Sequence, residues 1–97
     1  MNLVIVPAAL AELQAAAAFY AIKANVDTAR ALVDEFERAV NLLLLNPHLG
    51  SRFRGARRRY PLRRFPYSVI YQRTADELRV VALAHQRRRP NYWRDRK

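Results

Sequence analysis

The sequence has no cysteine, only two histidines and only two glycines among its 97 residues. Without cysteine there is no disulfide framework, no thiolate metal site and no cysteine nucleophile. Two glycines do not make a glycine-rich phosphate loop, and no serine–histidine–aspartate set is present. Because the histidines are distant from each other and the carboxylates are scattered, we expect neither a metal ion nor a cofactor.

Long apolar runs are also missing. The longest lies around residues 15–22 and is far shorter than the roughly 20 residues that cross a membrane. The N-terminal residues do not join a basic stretch to an apolar one, as a signal peptide does. We therefore expect a cytoplasmic protein with no membrane partner, and a length of 97 residues suits one domain.

Acidic residues are scarce in the second half of the chain. Residues 1–48 carry three basic and five acidic side chains, a net charge of −2, whereas residues 49–97 carry fifteen and three, a net charge of +12. General solubility does not require charge confined to one half, so the asymmetry favours an anionic partner, either nucleic acid or an acidic protein segment. Arginine outnumbers lysine, which suits planar contacts with phosphate or carboxylate.

The first half predicts a strand and a helical hairpin. Leu3–Val6 is a short apolar run that ends at Pro7, a residue suited to the first position of a helix. The helix continues to about Asn25, and its predicted inner face contains Leu10, Leu13, Ala17, Tyr20 and Ala24. A second helix runs from about Thr28 to Leu45, capped by Asn25 or Asp27, with the apolar stripe Ala29, Leu32, Val33, Phe36, Val40, Leu43 and Leu44.

The second half predicts an exposed loop and three strands. The loop covers Gly50–Ala56, and Pro61 places the strand Arg57–Arg64 at a sheet edge or a bulge. Tyr67–Arg73 is the central strand, and Glu77–His85 returns beside it with Leu78, Val80, Ala82 and Ala84 on one face. The order β-α-α-β-β-β predicts an α+β fold: an N-terminal strand, an antiparallel helical hairpin and a three-stranded antiparallel meander.

Several motifs occur in a characteristic order. Pro7 opens an alanine- and leucine-rich helix that contains Phe19-Tyr20, and Asn46-Pro47-His48-Leu49-Gly50 follows the second helix. The central strand reads Phe65-Pro66-Tyr67-Ser68-Val69-Ile70-Tyr71, and the last motif is His85-Gln86-Arg87-Arg88-Arg89-Pro90-Asn91-Tyr92-Trp93. Over nearly the whole chain this set resembles the RelE/ParE superfamily, the toxins of type II toxin–antitoxin modules. The resemblance implies a single RelE/ParE-like toxin domain over residues 1–97, held in a hetero-oligomer by an antitoxin whose C-terminal segment wraps and neutralises it.

The resemblance leaves two activities open. The ParE-like branch, known also for plasmid stabilisation, inhibits DNA gyrase and arrests growth without established chemistry of its own. The RelE-like branch is a ribosome-dependent mRNA endonuclease, in which an arginine usually follows the first aromatic residue of the central strand. Ser68 stands at that place here, and the Arg-x-Pro-x-Tyr-Trp ending looks more ParE-like, so we expect a gyrase inhibitor rather than an enzyme. The nuclease alternative implies catalytic roles for Arg64, His85, Arg87, Arg88 and Tyr92.

The arginine-rich half supplies the other candidate residues. We expect an anion- and antitoxin-binding face made of Arg52, Arg54, Arg57, Arg58, Arg59, Arg63, Arg64 and Arg88, and a target-binding set made of Arg89, Tyr92 and Trp93. Each has a plainer alternative: His85 as a strand-end residue, Tyr92 and Trp93 as packing residues, and Arg57–Arg59 as a solvated edge. A third possible function, a basic nucleic-acid-binding module without toxicity, is less favoured because neither helix is basic enough to serve as a recognition helix.

Overall fold

A computed structural model of the chain describes residues 1–53 and 55–97. The elements are β1 (Asn2–Ile5), α1 (Pro7–Lys23), α2 (Val26–Leu45), β2 (Ser51–Arg52), β3 (Arg57–Pro61), β4 (Tyr67–Arg73) and β5 (Glu77–His85). The strands form one five-stranded mixed sheet in the order β1-β5-β4-β3-β2. The predicted α+β architecture is confirmed. Within the described residues, neither helix is both long enough and apolar enough to cross a membrane.

Local signals place the two helices. Pro7 occupies the first turn of α1, where a missing backbone N–H costs nothing. Asn25 caps α2, because its side-chain oxygen accepts a 2.7 Å hydrogen bond from the Thr28 N–H. The predicted stripe of α2 is buried at Ala29, Leu32, Phe36, Val40 and Leu43. The helices pack against each other, and α1 also packs on β5.

The inner face of α1 differs from the prediction. Its buried residues are Ala9, Leu13 and Ala16, whereas Leu10 is 43% exposed. Of these three buried residues, only Leu13 belongs to the predicted inner face. Two of the three buried residues of α1 are therefore alanines, whose small side chains pack into the core while Leu10 stays outside it.

The parallel strand β1 and the short strand β2 extend the predicted meander on both sides. Asn2 to Ile5 pair in parallel with Glu77 to Val80 of β5. At the other side Ser51 and Arg52 pair with Arg59 and Arg58 of β3. The prediction of an exposed loop over Gly50–Ala56 was therefore wrong in that Ser51 and Arg52 form a strand, although both are exposed. The predicted strand Arg57–Arg64 also ends earlier, at Pro61, and Arg64 takes a positive φ of 73° outside the strand.

A β-bulge in β5 overturns the predicted alternation of its faces. Tyr71 pairs with Val80 whereas Ile70 pairs with Ala82, so Val81 is an extra residue. Beyond the bulge, Leu83 and His85 take the face that Leu78 and Val80 hold before it. His85 and Leu83 consequently line a hollow with the α1 residues Ala15, Ala16 and Phe19, while Ala82 and Ala84 share the opposite face with Ser68 and Ile70.

Candidate functional site

The C-terminal segment, residues 86–97, is held against the end of β5 by one carboxylate. Glu12 of α1 accepts hydrogen bonds from the Tyr92 hydroxyl at 2.6 Å, from Arg96 Nη1 at 2.7 Å and from the Leu83 backbone N–H at 3.1 Å. Arg96 Nη1 also donates to the Val81 carbonyl at 3.1 Å. Because β1 pairs with β5 only as far as Val80, these side chains satisfy backbone groups of β5 beyond the end of β1.

Arg57 anchors the same segment from the opposite side. Its guanidinium donates to the carbonyls of Trp93 at 2.9 Å, of Arg94 at 3.3 Å and of Arg96. It also lies over the Trp93 ring, with Cζ 5.4 Å from the ring centroid. Burial lowers the pKa of Arg57, and the charge of Asp95 opposes that shift. Arg57 is therefore a structural residue, with little of its hydrogen-bonding capacity left for a partner.

Arg58 fixes the turn that follows α2. Its Nη1 donates to the carbonyls of His48 at 3.3 Å and Gly50 at 2.8 Å, and Nη2 lies 3.2 Å from the His48 ring Nδ1. The buried Tyr71 hydroxyl holds the same turn, donating to the Pro47 carbonyl at 2.7 Å and accepting from the Gly50 N–H at 2.9 Å. Two residues of the arginine run, Arg57 and Arg58, therefore have structural roles.

The remaining arginines of the predicted anion-binding face are exposed. The Arg63 backbone N–H donates to Glu35 at 2.6 Å, and the residue itself is exposed. Arg64 lies over the Phe65 ring at 5.2 Å and Arg88 over the Tyr92 ring at 3.9 Å, so both guanidiniums are positioned by aromatic rings. The other exposed members are Arg52 and Arg59. Arg54 lies outside the described residues.

The residues of the nuclease alternative do not come together as one set. His85, Arg88 and Tyr92 line two adjoining hollows at the end of β5. Arg64 instead lines a separate hollow with Asp34, Glu35, Arg38 and Arg63, next to α2. Arg87 contributes its backbone N–H, which donates to His85 Nδ1 at 3.0 Å.

The two candidate proton-transfer groups, His85 and Tyr92, both make hydrogen bonds within the chain. His85 Nδ1 accepts the Arg87 N–H, which assigns the proton of a neutral ring to Nε2. The His85 ring also packs edge-on against Tyr67 at 5.0 Å. Burial, followed by the hydrogen bond to Glu12, raises the pKa of the Tyr92 hydroxyl. This arrangement stabilises the neutral hydroxyl and makes Tyr92 a weaker acid than a free tyrosine.

The predicted target-binding residues are dissimilar in exposure. Arg89 is exposed and Tyr92 is half-buried, but Trp93 is 3% exposed and its ring lies 5.6 Å from that of Phe53. Trp93 therefore acts as the hydrophobic anchor of the C-terminal segment in this conformation. In the described part of the chain, no group of three or more histidine, aspartate and glutamate residues could hold a metal ion.

Glu12 is the central residue that sequence reasoning missed. The sequence does carry a signal for it, because Glu12 is the sole acidic residue before Asp27 and sits in an alanine-rich helix. A lone carboxylate in such a helix, in a chain rich in arginine, favours a tertiary partner. Its partners lie 71 to 84 residues away in sequence, so the sequence does not name them.

Comparisons with known proteins agree with this architecture. A solved structure described as the chromosomal ParDE toxin–antitoxin system from P. aeruginosa superposes with a TM-score of 0.78 and 20% sequence identity, covering 88% of this chain and 95% of that chain. At this identity the likeness establishes the fold. A search of curated protein sequences finds no match. The family model of the ParE toxin of type II toxin–antitoxin systems matches residues 3–90, and the chain therefore belongs to the ParE toxin family.

Proposed function

We propose that this ParE toxin inhibits DNA gyrase and that a cognate antitoxin with an acidic C-terminal segment neutralises it in a cytoplasmic hetero-oligomer. Family membership supports the toxin class. The observation that carries the choice of target is the dispersal of the nuclease residues. Arg64 lies in a different hollow from His85 and Tyr92, and Ser68 occupies the position on β4 where that chemistry needs a cation.

Cleavage of RNA by its own 2′-hydroxyl requires a base, a phosphate-stabilising cation and an acid. The lone pair of His85 that would act as the base is used by the Arg87 N–H. The Tyr92 proton is donated to Glu12, and its raised pKa makes it a poor acid. A protein-binding toxin needs none of these groups free, so the geometry favours inhibition by binding.

The direct test measures both activities with one protein preparation. We expect the purified chain to inhibit supercoiling by purified gyrase and to raise the amount of cleaved DNA, with no cutting of mRNA in purified translating ribosomes. The variant His85→Ala should retain gyrase inhibition within about twofold, provided that its thermal transition shows it to be folded. Arg64→Gln makes the same comparison of gyrase inhibition and mRNA cleavage for the separate hollow that Arg64 lines next to α2. Ribosome-dependent mRNA cleavage that His85→Ala abolishes, with gyrase unaffected, would refute the proposal.

The antitoxin part of the proposal rests on charge. The net charge of +12 over residues 49–97 and the exposed arginines on β2, β3 and the C-terminal segment complement an acidic peptide. Co-expression with the product of the neighbouring short reading frame should restore growth and give a complex that is stable on gel filtration. As a control, an antitoxin whose C-terminal carboxylates are changed to amides should bind more weakly, and weakened binding should be most evident at low salt. Full rescue by that neutralised antitoxin would contradict the charge argument.

A further inference from the structure

The arginines of the sheet and the C-terminal segment differ in whether their side-chain N–H groups find acceptors within the described residues. Those of Arg57 and Arg58 donate to backbone carbonyls. In contrast, Arg59, Arg88 and Arg89 make no side-chain hydrogen bond within residues 1–53 and 55–97. All three line one hollow of about 90 Å³, which we call the Ser68 hollow. Three uncompensated positive charges around one small space favour an anion there.

Ser68 lies at the inner side of this hollow, on the central strand. It is 8% exposed and is held by pairing with Ala84 on one side and Pro61 on the other. Its hydroxyl has no hydrogen-bond partner among the described residues. Because the hydroxyl oxygen is not among the enclosed polar atoms that lack a partner in the described residues, it is accessible and can donate a hydrogen bond to a ligand in the hollow.

The size and walls of the hollow restrict the ligand. A volume of about 90 Å³ has room for several water molecules, and so for a carboxylate with the methylene that carries it. Phe53 and Trp93 form aromatic walls, with ring centroids 5.6 Å apart. A carboxylate side chain projects away from its backbone and can enter such a space. A nucleic-acid phosphodiester is part of its backbone and would have to bring the strand that carries it to the hollow.

We propose that the Ser68 hollow binds a single aspartate or glutamate carboxylate of a partner peptide. The Ser68 hydroxyl donates to one carboxylate oxygen, and Arg59, Arg88 and Arg89 surround the other. Identification of the peptide as the acidic segment of the antitoxin rests on the proposed function. Ser68, which stands where a nuclease of this superfamily has its cation, thereby gains a role in recognition.

The test uses the full chain and small probes, without gyrase or antitoxin. Blocked Ala-Glu-Ala and Ala-Gln-Ala peptides and inorganic phosphate are titrated at constant ionic strength, and amide and arginine Nε shifts are followed by NMR. We expect Ala-Glu-Ala to shift the signals of Ser68 and Arg59 saturably and Ala-Gln-Ala to leave them in place. Ser68→Ala should weaken Ala-Glu-Ala binding about tenfold, the loss expected for a hydrogen bond to a charged group. Arg59→Gln, at an exposed position, tests the same site without a change in the core.

Arg73→Gln serves as the matched control, since Arg73 is an exposed arginine of β4 that does not line the hollow. It should bind Ala-Glu-Ala like the unchanged chain. Equal responses to the glutamate and glutamine peptides, or a stronger response to phosphate at the same residues, would overturn the assignment. Because these titrations contain no gyrase, the hollow can fail this test while gyrase inhibition stands, and the reverse also holds.

Discussion

Glu12 should control both the stability of the fold and the docking of the C-terminal segment. Replacing it with alanine removes the acceptor shared by the Leu83 N–H, the Tyr92 hydroxyl and Arg96. Arg96 and the Leu83 N–H then remain partly buried without that acceptor. The cost arises mainly from these unpaired donors rather than from the lost contacts themselves.

The size of the effect follows from burial. Removing one partner of a fully buried ion pair costs about 3–5 kcal/mol, but the Glu12 and Arg96 side chains are 16% and 23% exposed, and solvent recovers part of that. We expect Glu12→Ala to lower the free energy of unfolding by about 2–4 kcal/mol, a large share of the roughly 5–15 kcal/mol of a typical domain. Glu12→Gln should cost less, because its amide oxygen still accepts a hydrogen bond while the ion pair is lost.

The only tryptophan of the chain provides the assay. Trp93 is 3% exposed and belongs to the segment that Glu12 holds. In urea titrations of Glu12→Ala, Trp93 emission should shift to the red at lower urea than the loss of helical circular dichroism. In the unchanged chain the two transitions should coincide.

Glu37→Ala is the control, because Glu37 is an exposed carboxylate of α2 and its loss should alter stability by less than about 0.5 kcal/mol. Suppose that Glu12→Ala had the same stability as this control, that its Trp93 emission stayed that of a buried indole and that its two transitions coincided. The Glu12 carboxylate would then not be what holds the C-terminal segment.

Two further predictions concern the turn after α2 and the contact of α2 with the loop between β3 and β4. Gly50→Ala places a Cβ 2.6 Å from the Tyr71 hydroxyl oxygen, 2.8 Å from its Cε1 and 2.9 Å from the Arg59 carbonyl oxygen, so it should cost about 1–3 kcal/mol. A urea-unfolding free energy equal to that of the unchanged chain would contradict the clash. The pKa of Glu35 is lowered, first by its hydrogen bond with Arg38 and also by the Arg63 N–H. The contribution of Glu35 to stability is therefore present above the ordinary pKa of 4.5 and is lost as the pH falls through the lowered value. Glu35→Gln should therefore destabilise the protein at pH 7 and flatten the acid limb of its stability curve, and parallel curves for the two proteins would count against this.

The helices and the central hairpin could be predicted because local physics determines them. Within a helix a proline such as Pro7 is suited to the first turn, and Asn25 offers an oxygen where free N–H groups need one. The apolar period of α2 specifies one face. The strands Tyr67–Arg73 and Glu77–His85 carry apolar and β-branched residues and are joined by a short polar turn. These features act within a few residues, so the sequence alone reveals them.

The bulge at Val81 could not be predicted from the same pattern. Val80 to Leu83 are all apolar, and all are buried, so alternation gives no sign of an extra residue. The pairing with Ile70 and Tyr71 decides which neighbours share a face. That decision turns His85 and Leu83 towards α1 and leaves Ser68 with Ala84.

The sequence by itself determined the element order, the family motifs and the concentration of positive charge in the second half. Only the tertiary structure decided what each charge does. Arg57, Arg58 and Arg59 are chemically identical neighbours, yet the first anchors the C-terminal segment, the second fixes a turn and the third borders the Ser68 hollow. The physical reason is that the role of a guanidinium depends on which acceptors lie within its reach. Those acceptors come from residues distant in the chain, which only the folded sheet brings together.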